Sequence, residues 1–333
     1  MTNRSWTPAE LLQLSVDYWS VCTLHAGVKL DLFTLITEKA QTSTELAKRL
    51  LADERALSML LNALSAMGLL EKENDIYKTT QFATEFLSRK SSRYLGHIVL
   101  HHHNLMPSWS RLDESVVTGK PDPERISMIN DINVRENFEM GMHDLAMQIA
   151  PLLASGIDLK GRRRLLDLGG GPGTYAVHFC LHNPQLAAVI FDIPTTRPFA
   201  EKNLDRFKLN DRISFLAGDF MTEEVPGRYD VAWLSHILHG AGTDGSAAIL
   251  RKAVSSLEPG GMIMIHEFIL NDDMCSPLHP ALFSLNMLLG TPNGRSFSQG
   301  ELFSMLASTG VRHLRRLDIG LPNGAGVIAG DVT

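Results

Sequence analysis

Two histidines three residues apart, His236 and His239, lie in the stretch LSHILHGAG, after the apolar run YDVAWL and before three small residues. Two chemistries suit such a pair. As metal ligands they need a third donor, which Glu267 or His266 would supply. As a base, a neutral imidazole with a reference pKa of about 6.5 is poised to take a proton near neutral pH. A phenol, with a pKa of about 10, is a poor nucleophile until that proton moves. A carboxylate on a neighbouring strand end would hold the imidazole by its other nitrogen, and Glu267 is placed for that. The acid–base reading needs fewer residues, and no metal is assigned. Gly240, Ala241 and Gly242 leave room for a bulky acceptor or a flexible rim.

What must position these residues is legible from Arg162 onward. RRRLLDLGGGPGTYAVHFCLH reads as a buried strand, a glycine turn and a helix. AAVIFDIP, ISFLAGDF, YDVAWLSH and GMIMIHEFI follow as short apolar runs, most of them separated by helical lengths. That alternation is the pattern of an α/β fold with a parallel sheet covered on both faces. VRHLRRLDI and GAGVIAGDV, either side of Leu321–Gly324, read as an antiparallel hairpin closing the sheet.

In such sheets ligands bind beyond the carboxyl ends of the strands. The glycines Gly169, Gly171 and Gly173 are spaced G-x-G-x-G, with Thr174 where a dinucleotide fingerprint needs its third glycine. No Gly-Lys-Ser/Thr follows, so a phosphate-binding loop of the Walker type is excluded as well. S-adenosylmethionine fits, because it carries no phosphate but needs close backbone approach and a partner for two ribose hydroxyls. Asp192 would accept from those hydroxyls, Asp219 and Phe220 would address the adenine, and Ser235 ends the fourth strand beside the same crevice.

The N-terminal residues read differently. Thr7–Glu10 and Thr42–Glu45 are capping boxes, and Asp53 opens a third helix. The run from Glu10 to Ile36 reads as helix, apolar nearly all round, which suggests a partner chain. LLEKENDIYKTT reads as two short strands around Asn74-Asp75. Helices followed by a hairpin give the order of a winged helix. Thr42 to Lys90 holds seven Lys/Arg and seven Asp/Glu, and the would-be recognition helix begins Asp53-Glu54, a poor footprint for nucleic acid.

Between the two, Ser91 to Ser155 reads as mostly helical, broken at Pro107 and at Gly119–Pro123. Adjacent residues on a helix point about 100° apart, so His101-His102-His103 reads as packing or surface rather than a ligand set. In the Met-rich segment NFEMGMHDLAMQIA, Phe138, Met142 and His143 are candidates for an acceptor wall.

At 333 residues the chain is long for one core. Its net charge of -6 offers nothing to nucleic acid or an anionic membrane. Three scattered cysteines suit a reducing compartment, and no apolar run approaches a membrane span, so a cytoplasmic protein is expected.

DLGGGPG, FDIP, GDF, SHILHG, HEFIL and NGRSF together resemble the homodimeric, S-adenosylmethionine-dependent small-molecule O-methyltransferases, a group that includes caffeate, acetylserotonin and bacterial antibiotic-pathway enzymes. The resemblance covers nearly the whole chain. It implies a Rossmann-like seven-stranded methyltransferase sheet and three parts: a winged-helix dimerisation domain at 1–90, bridging helices at 91–155 and a catalytic domain at 156–333. It implies His239 rather than His236 as the base, Glu267 as its helper, and Asn286, Met287 and Thr291 in the acceptor pocket. A further family acid falls on Ser296, and the family's Asp-Trp after the base is Gly240-Ala241. The acceptor expected is a hydroxyl of a small aromatic or polycyclic molecule. C- or N-methylation of a ring compound, tetrapyrroles included, and a non-enzymatic winged-helix regulator are the alternatives.

Overall fold

A computed structural model of the chain describes residues 5–128 and 131–333. The chain divides into two units, the first ending at Asn104 and the second beginning at Leu105, so the expected bridging segment 91–155 is shared between them.

In the first unit side-chain caps set the helix starts. Thr7 and Glu10 close a reciprocal box around α1 (Pro8–Val16). The run expected as one helix breaks twice. α2 (Tyr18–Lys29) starts after Asp17, and α3 (Leu32–Glu38) after Asp31, whose φ of 55° is left-handed. Val28, before the second break, and Leu32, Phe33 and Ile36, after it, pack in one core. After β1 (Gln41–Thr42), the Thr42–Glu45 box opens α4 (Ser43–Leu50) and Asp53 caps α5 (Glu54–Ala66). β2 (Leu70–Glu73) and β3 (Ile76–Thr79) pair across Asn74, which is also left-handed, in a sheet of order β1-β3-β2. α6 (Gln81–Leu87) follows, then α7 (Gly96–Trp109). Pro107 does not break α7 but lies near its end, the helix stopping at Ser110-Arg111. α1 buries none of its residues, and Leu11, Leu12, Leu14, Tyr18 and Trp19 stand exposed along α1 and the start of α2.

The second unit takes α8 (Leu112–Thr118), ended by left-handed Gly119, and α9 (Ile132–Gly156), capped by Asp131. Then come β4 (Arg164–Leu168), α10 (Thr174–His182), β5 (Ala187–Asp192), α11 (Arg197–Phe207), β6 (Ile213–Ala217), β7 (Tyr229–Ser235), α12 (Gly242–Ser255) and β8 (Leu257–Leu270). α13 (Leu278–Gly290), β9 (Phe297–Ser298), α14 (Gln299–Ser308), β10 (Arg312–Arg316) and β11 (Ala325–Asp331) complete it. The main sheet runs β10-β11-β8-β7-β4-β5-β6, with β11 antiparallel to both neighbours and the other pairs parallel. The two-residue β9 pairs in parallel beside Ile269 and Leu270 at the end of β8, and carries no alternation by which a sequence would reveal it.

Alternate residues serve opposite faces. Val231, Trp233, Met262 and Met264 pack in one core, while Ala232, Leu234, Ile263 and Ile265 pack in the other. Burial on both faces is why these strands read as unbroken apolar runs. At about 1.5–3 kcal/mol per large apolar side chain, the two cores hold the strand ends in register. The strand order reverses between β4 and β7, and the loops after them open into one crevice there.

Candidate active site

The chain leaves β7 at Ser235 and turns at once. His236 adopts a left-handed φ of 56°, and a single 3-10 turn, Leu238–Gly240, carries His239. Glu267, on neighbouring β8, organises this turn from both oxygens. Its Oε1 accepts the backbone N–H of Leu238 at 3.0 Å and of His239 at 3.4 Å. Its Oε2 lies 2.8 Å from His239 Nδ1. A carboxylate only accepts, so Nδ1 carries the hydrogen and Nε2 keeps a free lone pair. Burial opposes ionisation of Glu267, which is 2% exposed. The field of His239 and the contacts of both imidazoles outweigh burial and hold the carboxyl well below its usual range. His236 Nδ1 lies 3.4 Å from the same Oε2 but makes no hydrogen bond.

The loop below is shaped to this turn. Arg295 N donates to His239 O at 2.8 Å, and a Cβ on Gly294 would stand 2.5 Å from that oxygen. A Cβ on Gly240 would meet nothing within 4 Å, so space is open where larger side chains are absent. Ser296 is buried, its hydroxyl donating to Pro280 O at 2.8 Å, and fastens the start of α13. Aromatic rings stand beside the histidines. Phe283 meets His239 at 4.8 Å, and Phe268 meets His236 at 4.5 Å, His279 at 4.6 Å and Phe283 at 4.9 Å between centroids. Sequence reading missed Phe268, His279 and Phe283. The only signal was the i, i+4 spacing of His279 and Phe283.

At the end of β4, Gly169 has a φ of 65°, and a Cβ there would come within 2.6 Å of Ile237 and 3.1 Å of Phe220. Only glycine fits. Gly171 is also left-handed, but a Cβ there would meet only Glu139, at 3.9 Å, so its backbone faces open space. Asp192 ends β5, with one oxygen accepting from Gly171 N at 2.8 Å and the other from Ile193 N at 2.7 Å. Asp219 and Phe220 follow β6, and the Asp219 carboxylate accepts from Met221 N and the Thr222 hydroxyl. The Ser235 hydroxyl pairs with His266 Nδ1 at 2.9 Å.

Glu139, which sequence reading also missed, reaches into this crevice from α9 and accepts from Thr196 at 3.3 Å. Burial, and then the field of Asp192, push its carboxyl up to about 7. Burial raises Asp192 as well, against the N–H groups of Gly171 and Ile193. Two buried acids beside an open glycine turn suit a cationic ligand with hydroxyls, and S-adenosylmethionine fits that set.

The acceptor candidates divide. Phe138 is half exposed on α9 and Met142 partly buried. His143 is buried and its Nδ1 lies 2.8 Å from Thr174 Oγ1, at the first turn of α10, beside the glycine turn. Asn286 accepts from Trp109 Nε1 at 3.1 Å, Met287 is buried, and the Thr291 hydroxyl caps the end of α13. His101, His102 and His103 diverge: His101 is buried, His102 exposed, and His103 pairs with Lys29 at 3.2 Å. No described helix is long and apolar enough to cross a membrane.

Comparison with known proteins gives the family. Residues 109–312 match the family model of the O-methyltransferase domain, and residues 12–89 that of the O-methyltransferase dimerisation domain. The chain is 31% identical to the 3-hydroxy-5-methyl-1-naphthoate 3-O-methyltransferase of Streptomyces sahachiroi, over 97% of this chain and 95% of that one. It is 32% identical to the tetracenomycin polyketide synthesis 8-O-methyl transferase of Streptomyces glaucescens, over 95% of each. An O-methyltransferase family protein from Burkholderia thailandensis superposes with a TM-score of 0.88 at 27% identity, covering 99% of both chains.

Proposed function

Because the chain belongs to the O-methyltransferase family, we propose that His239 is the general base of its methyl transfer and that Glu267 holds and charges that base. The protein is an S-adenosylmethionine-dependent O-methyltransferase of aromatic small molecules. The cofactor supplies a methyl group on a cationic sulfur. Asp192, Asp219, Phe220 and the turn of Gly169 and Gly171 hold it, with Glu139 adding negative charge. His239 Nε2 takes the proton of the attacking hydroxyl. Glu267 fixes the tautomer and stabilises the imidazolium that forms. An anion and a cation become two neutral groups in the reaction, so the apolar rings of Phe268 and Phe283 beside the histidines favour the transition state over its solvated reactants.

The acceptor we propose is a phenolic hydroxyl on a fused aromatic ring system. The space at Gly240 and the aromatic wall support this, as do the naphthoate and tetracenomycin enzymes among the relatives. The exposed apolar face of α1 and α2 would be covered in a homodimer. Three free cysteines support a cytoplasmic setting.

The observation that carries the base assignment is the 2.8 Å contact between His239 Nδ1 and Glu267. His239→Ala should cut kcat by about 10²–10⁴-fold and leave the calorimetric Kd for S-adenosylmethionine unchanged. Full turnover in that variant would remove the assignment. Hydroxynaphthoates and tetracyclic phenols, screened by mass spectrometry for products one CH₂ heavier, test the acceptor.

A further inference from the structure

His236 is unexplained by methyl transfer. Its Nδ1 is buried without a hydrogen bond, and it is held by a left-handed backbone beside the carboxylate that serves His239. One donor atom from each of His236, His239 and Glu267 lies within 4.8 Å of the others, and this is the one such ligand group among the described residues.

We propose that these three side chains form a binding site for a borderline divalent transition metal, Zn²⁺ foremost, and that its occupancy switches the base off. Two imidazoles and one carboxylate are the donors Zn²⁺ prefers, with a fourth position left for water. Tetrahedral donors about 2.0–2.1 Å from the metal stand roughly 3.3 Å apart. His236 Nδ1 is already 3.4 Å from Glu267 Oε2. The 2.8 Å separation at His239 is that of a hydrogen bond, and opens by about 0.5 Å when a metal replaces the hydrogen. Glu267 Oε1 stays anchored by the Leu238 and His239 N–H groups, so the carboxylate is oriented whether or not the metal is present.

The consequence follows from the tautomer. When the metal bonds to Nδ1 of His239, the Nδ1–H bond breaks and the neutral ring carries its hydrogen on Nε2. That is the nitrogen required to accept the proton of the acceptor hydroxyl, so the ring can no longer act as a base. The metal sits on the Nδ1 side, so cofactor affinity is spared and kcat falls. The inhibition rests on the base assignment; the binding site does not.

Isothermal calorimetry with Zn²⁺, and the visible spectrum of a Co²⁺ adduct, test the site directly. Wild type should bind one Zn²⁺ per chain with a micromolar or tighter Kd, and Co²⁺ should show a four-coordinate spectrum. His236→Asn, chosen because asparagine tolerates the left-handed backbone, should weaken Zn²⁺ at least tenfold. Glu267→Gln should do the same, with folding checked by circular dichroism. Zn²⁺ should lower wild-type kcat with little change in the Kd for S-adenosylmethionine, reversibly on chelation, and His236→Asn should lose that sensitivity relative to its own metal-free rate. No binding at millimolar Zn²⁺, or equal affinity in both variants, would overturn the site. Tight, His236-dependent binding without loss of kcat would keep the site and refute the base.

Discussion

At the residue scale the crevice is built from acids under tension. Glu139, pushed up to about 7 by burial and then by Asp192, holds its proton more tightly folded than unfolded. Its contribution to stability is therefore complete below the ordinary carboxylate range and is lost as pH rises through about 7. Fully buried Asp167, also raised to about 7 by burial above all, acts with the same sign. Glu139→Gln should stabilise the cofactor-free protein at pH 8 by about 2 kcal/mol, with little change at pH 5. Because Asp167 remains, thermal melts across this range should flatten without becoming level. Saturating S-adenosylmethionine should shrink the difference between wild type and variant, since a cation in the crevice relieves the same repulsion. An equal effect of Glu139→Gln at both pH values would count against it.

At the element scale two contacts set the site. The first is the turn between β4 and α10. Gly169→Ala places a Cβ 2.6 Å from Ile237 in a left-handed backbone, costing about 1–2 kcal/mol before any clash. Affinity for S-adenosylmethionine should fall at least tenfold by calorimetry with the fold retained; unchanged affinity would show that the turn lies away from the cofactor. The second contact holds α13, which carries Phe283 and Asn286. Asp122, 2% exposed, receives Arg111 at 2.7 and 3.3 Å, while its N–H donates to Leu289 O near the end of α13. Asp122→Ala should lower the melting temperature, because it removes the buried partner of Arg111, leaving that side chain Glu124 at 3.4 Å, and loosens the loop whose N–H holds α13. It should also raise acceptor KM more than it lowers kcat; steady-state kinetics separate the two.

At the scale of the whole molecule, the apolar residues left on the surface of α1 and α2 point to a second copy. Leu11→Glu with Trp19→Glu puts charge on that face without touching the first unit's core. Wild type should sediment as a dimer and the double variant as a monomer in analytical ultracentrifugation. A monomeric wild type, or a variant that still dimerises, would show that this face serves something else.

The sequence alone determined what depends on near neighbours. The Thr7 and Thr42 capping boxes, the Asp53 cap, the turn at Asn74 and the apolar runs of β4 to β8 and β11 all stand where their residues imply. Each is decided within a few residues, by a cap, a turn conformation or burial on both faces of a strand. The breaks at Asp17 and Asp31 were not legible, because no proline or glycine stands at either position to mark them. The pairing of Glu267 with both His239 and His236 depends on β7 lying parallel beside β8. Glu139 reaches Thr196 and the glycine turn only because α9 packs on α10, and His143 is drawn to Thr174 by the same packing. Such contacts join residues about 28 to 57 positions apart, where no periodicity operates. The tertiary structure decided them, by choosing which strand and helix ends share one crevice.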